Sequence, residues 1–331
     1  MGSNIGSLQS GIKEELATNP RLSGISQKIA IVLWGLVTLT SLLSLAFSIY
    51  RLNLWDRIPA SETIRYFPDM TPEGIQAHAN WQNTILERGL SLSGYASIFT
   101  LARVIGGLSL FVVAFLLIRH YSDHLMAVLM ATVLSVFAAA GIWNNTLFGW
   151  AVPFAPWLSF PVQVLGWLLW CAAIVIYTFP DGKFTPRWTR WLAILLLPLT
   201  FLIAFNIDIV LNPNNWPGPL YLVPNILFVG AGLYSVIYRY RHTVDFEQKQ
   251  AMRWYVWGIS SLVSVYFINL LLTDVYYWIA GQPLFQSTNA GLTYVLLNEP
   301  IWFACEAFFA ASLAYSIFRE RLLKEKMESS R

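Results

Sequence analysis

Charge is scarce in this sequence. Only 12% of its 331 residues are Asp, Glu, Lys or Arg, against about 25% in an ordinary soluble domain. Hydrophobic residues make up 56%, and the mean hydropathy is +0.54. A soluble globule of this size cannot bury that much apolar surface, so a soluble enzyme is excluded first. Disorder is excluded as well, because 15% aromatic content with little charge is the reverse of a disordered composition. Cysteine is nearly absent. Cys171 and Cys305 lie in apolar stretches without a CxxC pattern. That argues against a disulfide framework or a zinc site and makes both small buried hydrophobes. Of the four histidines, His78, His120, His124 and His242, none falls deep in an apolar stretch, where a haem ligand would have to sit. The N-terminal stretch is polar and has no cleavable leader pattern. Gly6 stands where N-myristoylation requires Ser or Thr. No cofactor or metal is expected.

What the chain has in abundance is long apolar runs without the alternation of a membrane β-barrel strand. A membrane-spanning helix needs about 20 mostly apolar residues. Eight segments qualify, at about 29–50, 97–118, 124–143, 157–178, 191–211, 219–238, 254–280 and 297–318. The predicted fold class is therefore all-α, a polytopic membrane helix bundle of about eight transmembrane helices. Its divisions are a tail (1–28), the membrane domain (29–318) with an extracytoplasmic loop at 51–96, and a C-terminal helix extension (319–331).

Basic residues orient it. With both termini cytoplasmic, the outside segments hold only Arg51, Arg57, Arg65 and Arg88, all in the first loop. Arg103 falls within a span, and every other Lys and Arg lies inside, as the positive-inside rule requires. Tryptophans fall at both boundaries: Trp34, Trp188, Trp191, Trp254 and Trp257 at the inner one, and Trp143, Trp150, Trp157, Trp216 and Trp278 at the outer one. This is the belt expected where amphipathic rings meet headgroups. The expected location is a bacterial cytoplasmic (inner) membrane, crossed several times. In the first loop, Thr71-Pro72-Glu73 reads as a helix start. Ile75, Trp81, Ile85 and Leu86 then give a partial apolar face.

Ionisable groups inside spans are costly and face the bundle interior. Arg103, Asp208, Asp274 and Glu299 share an outer layer, and Arg103 is expected either to pair with one of these acids or to snorkel separately. Glu306 lies about 13 Å from the outer end of its span, near the midplane. It is either a proton or ligand contact or a hydrogen bond between helices. Gly106-Gly107, Ala138-Ala139-Ala140-Gly141 and Gly230-Ala231-Gly232 suit close helix packing.

Two inner loops are distinctive. The first runs Phe179-Pro180-Asp181-Gly182-Lys183-Phe184-Thr185-Pro186-Arg187-Trp188-Thr189-Arg190. Pro-Asp-Gly is a tight-turn sequence, Pro186 is expected to open the next helix, and Arg187 and Arg190 are placed at phosphate depth. The second contains Arg239, Arg241, Asp245, Gln248, Lys249, Gln250, Trp254 and Gly258. Asp245 and Lys249 at i, i+4 suggest a helix that begins in the cytoplasm.

These two loops, with Asn212-Pro213-Asn214-Asn215-Trp216-Pro217 between them, resemble in order and spacing the multi-pass membrane input region of ComP-like and Chloroflexi-type bacterial sensor histidine kinases. That family carries a "FPDGRFxPRWxRWL"-like loop, an "NPxNWP"-like outer turn and a "YRRxxxPxERQQxKWxxxG"-like inner loop. The likeness covers about 145–325 and includes the exit helix at Ser316-Ile317-Phe318-Arg319-Glu320-Arg321-Leu322. Val244-Asp245-Phe246-Glu247 departs from the family's proline-containing stretch, and Gln248-Lys249-Gln250 replaces "RQQ". A kinase would continue past Arg331, and no phosphoacceptor box or ATP-lid glycine motif is present. The resemblance thus implies a non-catalytic sensor or input domain that acts through a separate kinase or other signalling partner. The alternative is an accessory subunit of a respiratory or photosynthetic membrane complex. A transporter is the third reading, weakened because no catalytic motif and no inverted repeat are seen. Membrane lipid and another protein are the expected partners, with no nucleic acid; the sequence names no ligand.

Overall fold

The computed structural model describes residues 21–58, 62, 72–140, 174–175, 177–179, 182–205, 207, 209–216, 220, 222–243, 246–272 and 288–329. Among them the architecture is all-helical, apart from an isolated β-bridge between Arg21 and His124. The elements are α1 (Ile25–Arg57), α2 (Pro72–Glu87), α3 (Leu92–Tyr121), α4 (Leu125–Ala140), α5 (Thr189–Ala204), a 3-10 turn (Pro213–Asn215), α6 (Val223–His242), α7 (Phe246–Leu270) and α8 (Thr288–Ser329). Helices therefore occupy seven of the eight apolar segments. The eighth, 157–178, lies largely outside the described residues, where only 174, 175, 177 and 178 are helical.

Among the described residues, two helices are by themselves long and apolar enough to cross a membrane: α1 over Ile25–Ala46 and α3 over Leu92–Tyr121. The apolar parts of α4 and α5, Leu125–Ala139 and Thr189–Leu202, are shorter. Arg239, Arg241 and His242 occupy the last turn of α6. Lys249 and Arg253 stand in the first turns of α7. Each of these two helices thus has a polar end beyond its apolar run.

Packing directions follow from the contacts. The Tyr121–His124 turn folds α3 back onto α4, and the backbone N–H of Leu22 reaches Asp123 O at 2.7 Å. α1 therefore starts beside that turn and runs parallel to α4. Thr38 and Ser135 share a hydroxyl–hydroxyl bond at 3.0 Å, and Leu45 meets Gly107 of α3. α3 and α8 also run parallel: Leu296 packs with Tyr95 and Phe99, Phe303 lies against Gly106, and Leu313 joins the cluster of Leu110 and Leu117. α7 is antiparallel to α8, because Trp254 meets Tyr315 at 5.4 Å and Asn269 meets Tyr294. The helices form a row, with α1 and α4 on α3, then α8, α7, α6 and finally α5.

This arrangement gathers the N-terminus of α1, the α3–α4 turn, the 182–190 loop, the end of α6 and the start of α7 at one end. At the other end, α2 covers the starts of α3 and α8. α2 begins at Pro72, which supplies a preset φ and no needed N–H. It ends in a Schellman motif: Gly89 takes φ +74°, its N–H bonds Leu86 O, and the N–H of Leu90 bonds Ile85 O. Ile85 is fully buried with Trp81 and Tyr95, while Leu86 is exposed. Ser91 caps α3 by accepting from the Gly94 N–H at 3.0 Å.

The surface departs from that of a water-soluble fold, being apolar over long stretches as the core is. Leu33, Leu36 and Leu43 of α1, Leu101, Ile105 and Val112 of α3, and Ile194 and Leu195 of α5 all face outward. Ser41, Ser44, Ser135, Asn269, Glu306 and Ser312 face inward. Exposed apolar surface on this scale is not left to water. Glycine sets the closest approach. A Cβ at Gly258 of α7 would stand 2.9 Å from Ser312 Cβ and 3.1 Å from Phe309 Cα, whereas one at Gly35 of α1 would meet nothing. Gly258→Val should therefore cost about 1–3 kcal/mol by overpacking and lower the thermal midpoint of the detergent-solubilised protein. Gly35→Val should leave it close to wild type. Equal midpoints would contradict the packing of α7 on α8.

Candidate functional site

Among the described residues, the seam between α3 and α8 holds the most deeply buried carboxylate. Gly106 has no side chain, so α8 can seat Phe303 and Glu306 against it. A Cβ there would stand 2.9 Å from Glu306 Oε2 and from Phe303 Cδ1. Glu306 is 4% exposed. Its Oε1 accepts from Trp302 Nε1 at 2.8 Å, one turn earlier on α8. The Arg103 guanidinium lies over the Phe303 ring, 5.9 Å from its centroid. Arg103 and Glu306 thus occupy neighbouring levels of one seam, with Phe303 touching both levels. Glu299 belongs to α8, two turns before Glu306, and its side chain lies outside what is described. Asp208 and Asp274 also fall outside the described residues. The structure therefore brings Arg103 and Glu306 into one seam, and Arg103 is placed on an aromatic face.

A polar network that the sequence reading missed bridges α7 and α8 nearer the capped end. Tyr294 Oη donates to Asn269 Oδ1. Asn298 Nδ2 donates to Tyr294 Oη at 3.1 Å, and Asn269 Nδ2 donates to Val265 O at 3.0 Å. Asn269 is 1% exposed. Its signal in the sequence is a lone amide inside the apolar run 254–280, uncharged and so invisible in the placement of charges.

The two distinctive inner loops meet through one side chain. Arg239, in the last turn of α6, is 8% exposed. Its two terminal nitrogens donate to the carbonyl oxygens of Phe179 and Lys183. A guanidinium is the side chain suited to this, since its rigid fork holds two acceptors at once. Between those acceptors the chain turns at Gly182, with φ +73° and its N–H on Thr178 O at 2.8 Å. This is an αL closure of the preceding helical turn. Phe179 then packs on Tyr255 of α7 at 5.8 Å. Deeper, Tyr177 Oη donates to Phe228 O at 2.6 Å. Its ring occupies the place where a Cβ on Gly232 would be, 1.6 Å away.

The other motif residues divide. Pro180 and Asp181 lie outside the described residues, as does the side chain of Gln248. Pro186 does not open α5 as the sequence suggested; the helix starts at Thr189, whose N–H and hydroxyl both bond Pro186 O, at 3.1 and 2.8 Å. The hydroxyl of Thr189, not the proline ring, marks the entry. Trp188 is half exposed and meets Tyr234 of α6 at 5.7 Å. Arg187 and Arg241 are exposed, and Gln250 is half-buried. Trp254 and Gly258 both contact α8. In the Asn212–Trp216 turn, side-chain donors close the loop on its own carbonyls: Asn212 on Ile207 O at 2.8 Å, Asn215 on Ile209 O at 3.1 Å and Trp216 on Val210 O at 2.8 Å.

No family model, curated protein or solved structure matches this chain.

Arg239→Lys keeps the charge but replaces a two-pronged donor with a point donor. It should leave a buried carbonyl unsatisfied and destabilise by about 1–3 kcal/mol. Arg241→Lys, on the exposed face of the same turn, should be neutral. Thermal unfolding of both variants in detergent checks this, and equal midpoints would show that the clamp carries no stability.

Proposed function

We propose that this chain is a polytopic membrane helix bundle crossing about eight times, with both termini cytoplasmic, and that it serves as a non-catalytic sensor or input domain working through a protein partner. The exposed apolar faces of the described helices support membrane immersion. The parallel course of α3 and α8 supports the count, because five crossings between them return the chain to the same direction. The basic loops gathered at one end support the orientation.

The observation that carries the sensor reading is α8. It is one continuous helix of 42 residues, Thr288–Ser329, or about 63 Å at 1.5 Å per residue. That is twice the roughly 30 Å of a bilayer core. The same rod holds buried Glu306 against α3 and continues beyond the bundle toward the C-terminus. A change in how α3 and α7 pack on α8 would move its far end, and a ligand with different affinity for two such packings would supply the signal. The motif-level likeness to sensor-kinase input regions points the same way. The second reading, an accessory subunit of a larger membrane complex, draws on the broad exposed apolar faces of α1 and α5.

Purification of the tagged chain from native membranes in gentle detergent, with mass spectrometry of what accompanies it, separates the two. Recovery of a kinase or response regulator that is lost when 319–331 is deleted supports the sensor reading. Recovery in fixed ratio with a large respiratory or photosynthetic complex overturns it in favour of the accessory subunit.

A further inference from the structure

A row of aromatic rings runs along one face at the basic end. Tyr234, Tyr238 and His242 follow one another on α6 at i, i+4 and i+8. Tyr234 and Tyr238 are 6.0 Å apart, and Tyr238 stacks on His242 at 3.8 Å with 22° between the planes. His242 Nδ1 lies 2.8 Å from Tyr238 O, which fixes the ring over its neighbour. Trp188 extends the row from the other side of the groove, 5.7 Å from Tyr234. Trp188 and Tyr234 are 50% and 46% exposed. They are rings held in position yet left open.

Cations border the row. Arg187 and Arg190 flank Trp188 in the chain, and both are exposed. Arg190 lies over the Trp191 ring at 4.9 Å. Lys183, in the loop before Trp188, and Arg241, in the last turn of α6, are also exposed. Below the arginines, α5 turns Trp191, Ile194 and Leu195 outward, each more than half exposed. The groove is preformed, because the Arg239 clamp ties the loop that bears Lys183 to the helix that bears the rings.

We propose that this groove binds one anionic phospholipid. Its phosphodiester would meet Arg187 and Arg190, its glycerol region would lie on the Trp188–Tyr234–Tyr238 rings, and an acyl chain would follow the apolar face of α5. The argument rests on charge complementarity. Basic pockets between helices on the cytoplasmic side suit anionic headgroups, and amphipathic rings sit at headgroup depth. The grading from cations through rings to aliphatic side chains matches the order of groups along a lipid. A free phosphate would use the arginines and leave the rings and the α5 face unused. The inference rests on the membrane reading above.

The test is native mass spectrometry of the detergent-solubilised full chain, titrated separately with phosphatidylglycerol, phosphatidylcholine and inorganic phosphate. Wild type is expected to retain one phosphatidylglycerol in preference to phosphatidylcholine. Arg187→Gln with Arg190→Gln should weaken retention by about 25-fold, at roughly five-fold per cation. Trp188→Ala should weaken it without any change of charge. Lys28→Gln with Arg253→Gln removes the same charge from the same end and should leave retention unchanged. Thermal midpoints establish that each variant is folded. Equal retention of the two lipids, equal loss in the charge-matched control, or displacement of the lipid by inorganic phosphate alone overturns the proposal. Flotation of the wild-type chain with membranes is scored alongside. Loss of flotation contradicts the membrane reading, whereas flotation without lipid preference contradicts the groove alone.

Discussion

The structure is governed by one constraint: much of its surface is apolar, so polar groups have to be answered from within, and among the described residues the buried hydroxyls of Ser41, Ser44, Ser235 and Ser312 are the ones left without a hydrogen bond. Backbone groups are answered by helices, which satisfy their own N–H and C=O groups along their length. Where helices end, side chains take over. Arg239 serves the carbonyls of Phe179 and Lys183. Ser91 serves the start of α3, Asn212 serves Leu202 O in the last turn of α5, and Asn212, Asn215 and Trp216 serve the carbonyls of the turn that follows it. Several hydroxyls inside helices bond back one turn, as Ser135 does to Ala131 O at 2.9 Å. The buried carboxylate of Glu306 is served by its own helix through Trp302.

The same constraint explains why glycine sits where it does. Interhelical packing in an apolar surrounding gains little from hiding surface and depends on close contact. Gly106 and Gly107 bring α8 and α4 onto adjoining faces of α3, about 100° apart, and Gly258 brings α7 onto α8. α3 and α8 thereby become the shared wall of the bundle. A continuous α8 in such a wall joins the interior to the C-terminal segment, which is the physical basis of the input-domain reading.

Much of the helical architecture could be read from the sequence, because apolar length is a one-dimensional signal. The all-helical class, the packing role of Gly106-Gly107 and the placement of Pro72 at a helix start follow from composition and local stereochemistry. The partners of Arg239 did not follow. Read along the chain it was one of several positive-inside anchors, and nothing in its spacing tells it from Arg241, which is exposed two residues later. Their difference is rotational phase on α6 and the nearness of a loop 56 residues away. Asn269 and Tyr294 were missed for a like reason: their bond crosses 25 residues, and neither carries charge. The start of α5 was misplaced because proline is a strong local helix-start signal, whereas Thr189, the first helical residue, turns both its N–H and its hydroxyl back on Pro186 O.

The central claim is that one end of this row of helices lies inside the cell and the other outside. Single cysteines introduced at Lys28, Lys183, His242 and Arg88, in a background with Cys171 and Cys305 replaced by alanine, can be labelled in intact cells with a membrane-impermeant maleimide. The account predicts labelling of Arg88→Cys in intact cells, and labelling of Lys28→Cys, Lys183→Cys and His242→Cys only after lysis. Labelling of positions from both ends in intact cells, or of none of the four, would contradict it.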